Sequence, residues 1–340
     1  MSALFNTHTL MGVVSQMPRP SSFLLDSFFP MLQLEEGEEI HFDVRDGNRR
    51  LAPFVSPKVA GRIVESEGFR THTFKPAYIK DKRIFDAERP MKRAIGERIG
   101  GDWSPSDRIR LNLANEIDDQ IRMINRRLEV MAAEALRTGR VTVSGEDYPT
   151  VVVDFGRHGD NTVTLSGGDR WGQSAVKPLH DLDTWALTVM RRTGARPTVV
   201  VMDVDAWRIF KADLEVQTRL DVRRVEGNGL QMQGAQAIGG TYMGRLDGFE
   251  IYVYADWFID PEDGQEKPVL PSGTVLMGSR AVEGVRAFGA IRDEEAGYRP
   301  MAYFPKSWTD HDPSVRYLLM QSAPLVVPTV PNASFCATVL

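Results

Sequence analysis

Residues 104–139 have the sequence SPSDRIRLNLANEIDDQIRMINRRLEVMAAEALRTG, and this stretch has the signals of one uninterrupted helix. Ser104 is a good N-cap, Pro105 suits the first helical position, and Asp107 lies three residues after the cap. Gly139 supplies a stop signal. The stretch therefore predicts a helix of about 34 residues, roughly 50 Å long at 1.5 Å per residue, which is too long for a core element of a compact enzyme.

One face of this predicted spine helix is apolar and the others are charged. Apolar residues recur every three or four positions, at Leu113, Ile117, Ile121, Ile124, Leu128, Met131 and Ala135. The charged residues predicted to face outward are Asp107, Arg108, Arg110, Glu116, Asp118, Asp119, Arg122, Arg126, Arg127, Glu129 and Glu134. The helix is therefore expected to pack along one side and to meet water or a neighbouring subunit on the others.

The chain has the composition of a globular protein. Its 340 residues are 42% hydrophobic, which is enough for one large core or two modest ones. A formal net charge of -5 argues against tight, sequence-specific binding to nucleic acid. The single cysteine, Cys336, excludes an intrachain disulfide framework and is expected to be inert in a reducing compartment. No apolar run approaches the ~20 residues that span a bilayer, and residues 1–20 lack the pattern of an export signal.

The chain before the spine helix is expected to extend away from a core. Residues 1–50 are predicted to form an arm, because the prolines at positions 18, 20 and 30 interrupt helices. This arm contains an apolar anchor made of Phe23, Leu24, Leu25, Phe28 and Phe29. Residues 51–103 carry short strand-like pieces without a buried period, which predicts a long extended hairpin lying on another subunit.

Sheet and helix signals follow the spine helix. Val141–Val143 and Val151–Val153 flank a turn and predict a hairpin. From Asp181 the pattern is α/β, with a helix that ends at Gly194 and a buried strand at residues 198–202.

The last third of the chain continues this pattern. A second helix is expected from about Asp205, followed by a glycine-rich loop at residues 227–240 and a strand at residues 250–254. The last 40 residues alternate apolar and polar character, and they are expected to return as strands to the first sheet.

The most suggestive chemical motif is Asp203-Val204-Asp205, which follows the predicted buried strand. Such a pair of carboxylates can hold a divalent cation against a nucleotide-sugar diphosphate. In the alternative interpretation Asp203 ends the strand and Asp205 caps the next helix. Because capping accounts for both residues, a transferase that uses Asp203 and Asp205 is the less favoured alternative.

The rest of the sequence has no catalytic, metal-binding or phosphate-binding motif. The six histidines lack metal-ligand spacing, and no nucleophile elbow is present. The glycines at residues 166–168 and 239–244 lack the pattern of a phosphate loop. The sequence therefore predicts a protein that is not an enzyme and that uses no metal or cofactor.

A charge pattern near the start of the chain points to contacts between subunits. Acidic residues cluster at positions 35–46 and basic residues at positions 70–98. The candidate inter-subunit residues are Glu35, Glu36, Glu38, Glu39, Arg70, Lys75, Lys80, Lys82, Arg83, Arg89, Lys92 and Arg93. Because opposite charges steer association in a salt-dependent way, the arm of one subunit is expected to attract the hairpin of a neighbour. Solvated charged faces without such contacts are the alternative.

Several motifs closely resemble the phage lambda-like major capsid protein family. The resemblance covers about residues 25–340, and the two stretches near its C-terminal end are the most specific. The matching stretches are FVSP at 54–57, FKP at 74–76, TVLMG at 274–278, GVRAFG at 284–289, YFPKSW at 303–308 and MQSAPL at 320–325.

This resemblance implies an α+β fold, the capsid fold named after phage Hong Kong ninety-seven. The implied parts are an N-terminal arm (1–50), an extended loop (51–103), a peripheral domain with the spine helix and a sheet (104–180), an axial domain (181–300) and return strands of the peripheral domain (301–340). The glycine-rich loop would then lie near the five-fold or quasi-six-fold axis.

The resemblance also implies a function without catalysis. The chain would be a major capsid protein whose pentamers and hexamers form the icosahedral shell around the double-stranded DNA of a tailed phage. Implied partners are other copies of itself, a scaffold protein, a portal protein, a small cementing protein at three-fold sites and, through non-specific contacts, the packaged DNA. Its implied location is the virion, after assembly in the host cytoplasm. An encapsulin-like nanocompartment shell, which shares the fold, is the alternative.

Overall fold

The computed structural model describes residues 2–37, 39–45, 69–85, 97–99, 103–145, 148–219, 239–311 and 314–340. Most of the predicted extended loop, and the glycine-rich loop up to residue 238, lie outside these residues.

Helices and strands both contribute to the fold, so the predicted α+β class is confirmed. The α-helices are α1 (Thr7–Gln16), α2 (Phe23–Phe28), α3 (Pro105–Thr138), α4 (Pro178–Thr193) and α5 (Val204–Phe210). The strands are β1 (Met31–Leu34), β2 (Ile40–Arg45), β3 (Phe69–Phe74), β4 (Ile79–Phe85), β5 (Arg140–Gly145), β6 (Tyr148–Asp154), β7 (Thr162–Thr164), β8 (Val199–Met202), β9 (Gly240–Leu246), β10 (Phe249–Tyr254), β11 (Trp257–Ile259), β12 (Glu266–Pro268), β13 (Thr274–Gly278), β14 (Gly284–Phe288), β15 (Phe304–His311), β16 (Ser314–Ser322), β17 (Pro324–Pro328) and β18 (Phe335–Thr338). In the part of the chain described, no helix combines the length and hydrophobicity needed to cross a bilayer.

The predicted spine helix is confirmed as α3. The Ser104 hydroxyl accepts a hydrogen bond from the backbone N–H of Asp107 at 3.2 Å, and the Asp107 carboxylate accepts one from the backbone N–H of Ser104 at 3.3 Å. This capping box fixes the start of the helix. At its end, Gly139 adopts the left-handed conformation with φ of 71°.

The apolar stripe of α3 is buried, as predicted, and packs against α2, β5 and β17. Each fully buried Leu or Ile of the stripe contributes about 1.5–3 kcal/mol relative to an exposed side chain. One expectation for this helix is wrong: Glu129 does not face outward but is only 3% exposed.

A six-stranded sheet forms the second core of the molecule. Its strand order is β7-β18-β13-β8-β10-β9, in which β8 runs parallel to β10 and antiparallel to β13. The core it shares with α4 and α5 contains stacked aromatic rings, with ring centroids 5.9 Å apart for Trp171 and Trp185 and 5.3 Å apart for Trp185 and Phe335. The predicted helix end at Gly194 is confirmed, since this residue is the left-handed C-cap of α4.

Smaller sheets complete the fold. β1, β14 and β17 form one three-stranded sheet, and β15, β16 and β4 form another. The pairs β2–β3, β5–β6 and β11–β12 are two-stranded. The β5–β6 hairpin is the one that the valine runs predicted.

The N-terminal segment carries two helices that pack on the chain's own core. The prolines at positions 18, 20 and 30 lie outside α1 and α2, where the absence of an N–H does no harm. All five residues of the predicted apolar anchor are buried. β1 then pairs in parallel with β14, so the anchor is fixed on both sides.

The last strands take partners that the alternating pattern did not indicate. β15–β16 pairs with β4, β17 pairs with β14, and β18 lies between β13 and β7. In the described residues none of them pairs with β5–β6, so the expected return to that sheet is wrong. Alternation identifies a strand but carries no information about its neighbour. The boundaries of the five predicted segments stay a prediction.

Candidate subunit-interface surfaces

Arg83 ties β4, which belongs to the predicted extended loop, to the spine helix. Its guanidinium lies 2.6 Å from Glu116 and 2.8 Å from Asp119, both on α3, and 2.9 Å from Asp81 on its own strand. Burial alone would lower the pKa of Arg83, but the hydrogen bonds to these three carboxylates outweigh it and raise the pKa above its ordinary value. The charge of this predicted inter-subunit residue is therefore engaged within its own chain.

A second tie lies near the start of the spine helix. Arg108 donates to both carboxylate oxygens of Glu97, at 2.9 Å from Nε and 2.7 Å from Nη2. Glu97 is only 3% exposed. A bidentate pair of this kind is strong and directional, so α3 holds the chain on both sides of residues 86–96.

The other predicted basic residues lie on or near β3 and β4. Lys80 and Lys82 project exposed side chains from β4, and Lys82 Nζ lies 4.0 Å from the ring centroid of Tyr317. Lys75 is exposed between the two strands, and Arg70 lies in β3. In the described structure neither Lys80 nor Lys82 forms an ion pair. Three predicted residues lie outside the described residues: Arg89, Lys92 and Arg93.

The predicted acidic residues follow β1. The backbone N–H of Glu35 donates to the carbonyl oxygen of Phe288 at 2.9 Å, and the half-buried Glu35 side chain accepts from Gln33 Nε2 at 2.5 Å. Glu36 and Glu39 are exposed. Glu38 lies outside the described residues. Across the residues described, Glu35, Glu36 and Glu39 form no ion pair, so one chain does not bring the acidic and basic sets together.

An apolar groove is lined by residues of α3, β4, β5 and the β11–β12 hairpin. Its volume is about 770 Å³. Met123, Trp257 and Ile259 on its walls are 48%, 50% and 71% exposed. Large apolar side chains gathered in one exposed patch are typical of surfaces that become buried on association.

Glu129 makes three buried hydrogen bonds that the sequence did not reveal. Its Oε1 accepts from the backbone N–H of Leu24 at 2.8 Å and from the Tyr254 hydroxyl at 3.0 Å, and its Oε2 accepts from the backbone N–H of Leu25 at 3.0 Å. Leu24 and Leu25 lie in the first turn of α2, where the N-cap residue Ser22 makes no side-chain cap. The carboxylate therefore satisfies helix N–H groups that would otherwise be buried without an acceptor.

The surroundings of Glu129 exclude water. The Phe23 ring packs 4.8 Å from Tyr252 and 5.9 Å from Tyr254, measured between ring centroids. Burial raises the pKa of Glu129 to about 7, and the hydrogen bonds from α2 and Tyr254 oppose this rise only in part. Burial also raises the pKa of Tyr254, and the nearby Glu129 carboxylate adds to that effect.

Asp203 caps α5, although the sequence pattern assigned that role to Asp205. The Asp203 carboxylate accepts from the backbone N–H of Asp205 at 3.0 Å, of Ala206 at 3.1 Å and of Gly273 at 3.0 Å. Asp205 lies in the first turn and forms an ion pair with Arg208 at 3.2 Å. The assignment of the cap to Asp205 is wrong, because the helix begins earlier than predicted. The predicted kind of role is nevertheless present, since the aspartate that directly follows the strand, Asp203, caps the helix.

Possible metal ligands and Cys336 are the remaining candidates for a chemical role. Among the residues that the structure describes, no group of three His, Cys, Asp or Glu side chains is arranged to hold a metal ion. Cys336 is buried in β18, and burial raises the pKa of its thiol to about 11. A thiol in that environment is a poor nucleophile.

The fold matches a solved structure over nearly the whole chain. The crystal structure of a prophage protein from Escherichia coli CFT073, described as a capsid protein, aligns with a TM-score of 0.76 and 22% identity, covering 98% of this chain and 99% of that chain. At this identity the likeness shows the fold alone. The chain therefore has the fold of a phage capsid protein, as the resemblance implied.

Sequence relatives identify the family. The family model for phage major capsid protein E matches residues 6–339. The chain is 29% identical to the major capsid protein of Enterobacteria phage P21 over 334 residues, which are 95% of this chain and 96% of the relative. It is 28% identical to the major capsid protein of Escherichia phage lambda over 340 residues, which are 97% of each chain. The chain therefore belongs to the phage major capsid protein E family and is a structural protein of the virion.

Proposed function

We propose that this chain assembles into pentamers and hexamers, which close into an icosahedral shell around the double-stranded DNA of a tailed phage. The observation that carries this proposal is the match of residues 6–339 to a family of phage capsid proteins. The ties from Arg83 and Arg108 to their carboxylates support it, because they brace the base of the extended loop against the spine helix. The matching family consists of phage proteins, which favours this function over the nanocompartment alternative.

Electron microscopy of the purified full-length chain tests this proposal. We expect rings with five-fold and six-fold symmetry, or closed particles built from both. Uniform rings of another symmetry, or filaments that do not close, would contradict it, because a closed icosahedral shell needs five-fold vertices.

The contact between subunits is proposed to involve the acidic and basic sets near the start of the chain. The acidic set is Glu35, Glu36, Glu38 and Glu39, and the basic set is Arg70, Lys75, Lys80, Lys82, Arg83, Arg89, Lys92 and Arg93. The exposure of Glu36, Glu39, Lys80 and Lys82 supports this proposal, because these four side chains remain available to a neighbour. Arg83 would contribute mainly by orienting β4.

Charge reversal can separate this contact from a general effect of charge. Glu36→Lys/Glu39→Lys is expected to slow assembly and to abolish most of its dependence on salt, since steering by opposite charges is screened within about 10 Å at 0.1 M salt. The matched control Asp183→Lys/Glu294→Lys makes the same charge change at two exposed acids elsewhere. Equal assembly rates for the two variants at every salt concentration would contradict the proposal.

The partners beyond the shell are also proposals: a scaffold protein, a portal protein, a cementing protein at three-fold sites, and weak non-specific contact with packaged DNA. A net charge of -5 supports the last, because a net acidic chain binds DNA only weakly, which lets the genome be packed and released. Mass spectrometry of purified virions and of unfilled particles from the cytosol of infected cells tests both the partners and the place of assembly. Particles without any second structural protein would contradict the proposed partners.

A further inference from the structure

Glu129, the N–H groups of Leu24 and Leu25, and the Tyr254 hydroxyl form what is called here the Glu129 latch. Its members come from three separate parts of the chain: the carboxylate from α3, the N–H groups from α2 and the hydroxyl from β10. The shell proposal makes no use of this contact. We propose that the Glu129 latch is a proton-sensitive device that sets how firmly α2 and the N-terminal segment are held on the spine helix.

The surroundings of Glu129 disfavour its ionised form. The carboxylate is buried, and its hydrogen-bond donors are two backbone N–H groups and one hydroxyl, all neutral. Within the described residues no cation forms an ion pair with it. A buried carboxylate that is hydrogen-bonded but not paired retains much of its desolvation cost.

The titratable groups around the latch do not offset that cost. On the β10 side these are Tyr252, Tyr254 and Asp256, and the negative charge of Asp256 further disfavours ionisation of Glu129. On α2 the titratable residue is Asp26, whose carboxylate lies 3.7 Å from Arg286 on β14. On α3 the nearest charged residue one turn away is Arg126, which is exposed.

Protonation therefore strengthens the latch. The pKa of Glu129 is about 7 when α2 is docked, whereas a solvated glutamate has a pKa of about 4.3. The docked state binds the proton more tightly, so docking is strongest below about pH 4.5 and weakens as pH rises toward 7, above which it levels off. The two pKa values correspond to a loss of docking strength on the order of fiftyfold between pH 5 and pH 8.

The Tyr254 hydroxyl can serve both states of the carboxyl group. It donates to the ionised form, and because the nearby Asp256 carboxylate offers its proton a second acceptor, the hydroxyl can turn to accept from the protonated form. The latch can therefore take up a proton without leaving a buried polar group unpaired.

Hydrogen–deuterium exchange of the purified full-length chain tests this inference at pH 5, 6, 7 and 8. After correction for intrinsic exchange, the protection of the peptide spanning residues 22–30 is expected to fall on the order of fiftyfold from pH 5 to pH 8 in the wild type. Glu129→Gln, which cannot ionise, is expected to show no such fall. The matched control Glu134→Gln removes a carboxylate from the same helix and is expected to behave as the wild type.

Tyr254→Phe keeps the test decisive if Glu129→Gln does not fold. Removing this donor destabilises the ionised carboxylate, so the pH at which protection levels off is expected to rise by about one unit. A purely structural role of Tyr254 would lower protection without moving that pH. Unchanged pH dependence in both variants would overturn the inference, and since the readout does not need assembly, that result would leave the shell proposal standing.

Discussion

Replacing Gly139 with alanine tests whether the end of the spine helix is fixed by backbone conformation alone or also by the space around it. Gly139 has a φ of 71°, a conformation that costs a residue with a side chain about 1–2 kcal/mol. A methyl group there would also lie 2.5 Å from Cβ of Arg157. The Arg157 guanidinium donates to the carbonyl oxygens of Leu136 and Arg137 in the last turn of α3, so moving it would break charged hydrogen bonds.

These two effects together predict that Gly139→Ala lowers the free energy of unfolding by about 3–4 kcal/mol. Gly156→Ala is the matched control, because Gly156 has a φ of 70° but no atom within 4 Å of the added methyl group. It should lose only the conformational part, about 1–2 kcal/mol. Urea unfolding, followed by circular dichroism at one protein concentration, measures both values. Equal losses for the two variants would refute the argument that Arg157 occupies the space at the helix end.

Four further predictions concern other sites in the fold. Arg83→Ala should lower the local stability of β4 by about 2–3 kcal/mol, because it leaves three carboxylates without their cation. The rate of hydrogen–deuterium exchange at residues 79–85 should therefore rise. Lys80→Ala, the control on the same strand, should leave that rate unchanged. Asp203→Ala should cost about 1–2 kcal/mol through loss of the cap. Mg²⁺ should leave the thermal midpoint of the wild type unchanged, and a rise would revive a metal-binding role for Asp203 and Asp205. Because the pKa of Cys336 is raised to about 11, its alkylation at pH 8 should be on the order of a hundredfold slower in the folded chain than in the urea-unfolded chain. Mass spectrometry measures both rates. Equal rates would show that the thiol of the folded chain is accessible and ionised.

Local signals explain why the spine helix was predictable. Its caps, Ser104 with Asp107 and Gly139, act within a few residues, and its apolar stripe follows directly from helical periodicity. The same holds for the C-cap of α4 and for the β5–β6 hairpin.

The contacts of Glu129 could not be predicted from local signals. Its partners Leu24, Leu25 and Tyr254 are 105, 104 and 125 residues away in the sequence, so no local pattern connects them. One signal was present: Ala132, Ala133 and Leu136 continue an apolar surface beyond the predicted stripe, and Glu129 lies one turn before them on that side of the helix. A wider stripe would have placed this carboxylate at a buried edge.

The candidate interface is only partly fixed by the fold of one chain. The sequence identified Arg83 as important through its charge, but its three partners Asp81, Glu116 and Asp119 follow from how β4 crosses α3. The pairing of β4 with β16 likewise depends on register between distant segments. The proposed partners of exposed residues such as Glu36 and Lys82 lie on another copy of the chain, so the fold of one chain does not fix them.

Sedimentation velocity of the purified full-length chain, repeated with the chain co-expressed with the genes that flank its own, tests the central claim most directly. The account predicts closed particles of megadalton mass, or discrete pentamers and hexamers of about 190 and about 230 kDa built from the 38.1 kDa chain. A species that stays monomeric or dimeric at the highest concentration under both conditions would contradict the assignment of this chain as a shell subunit.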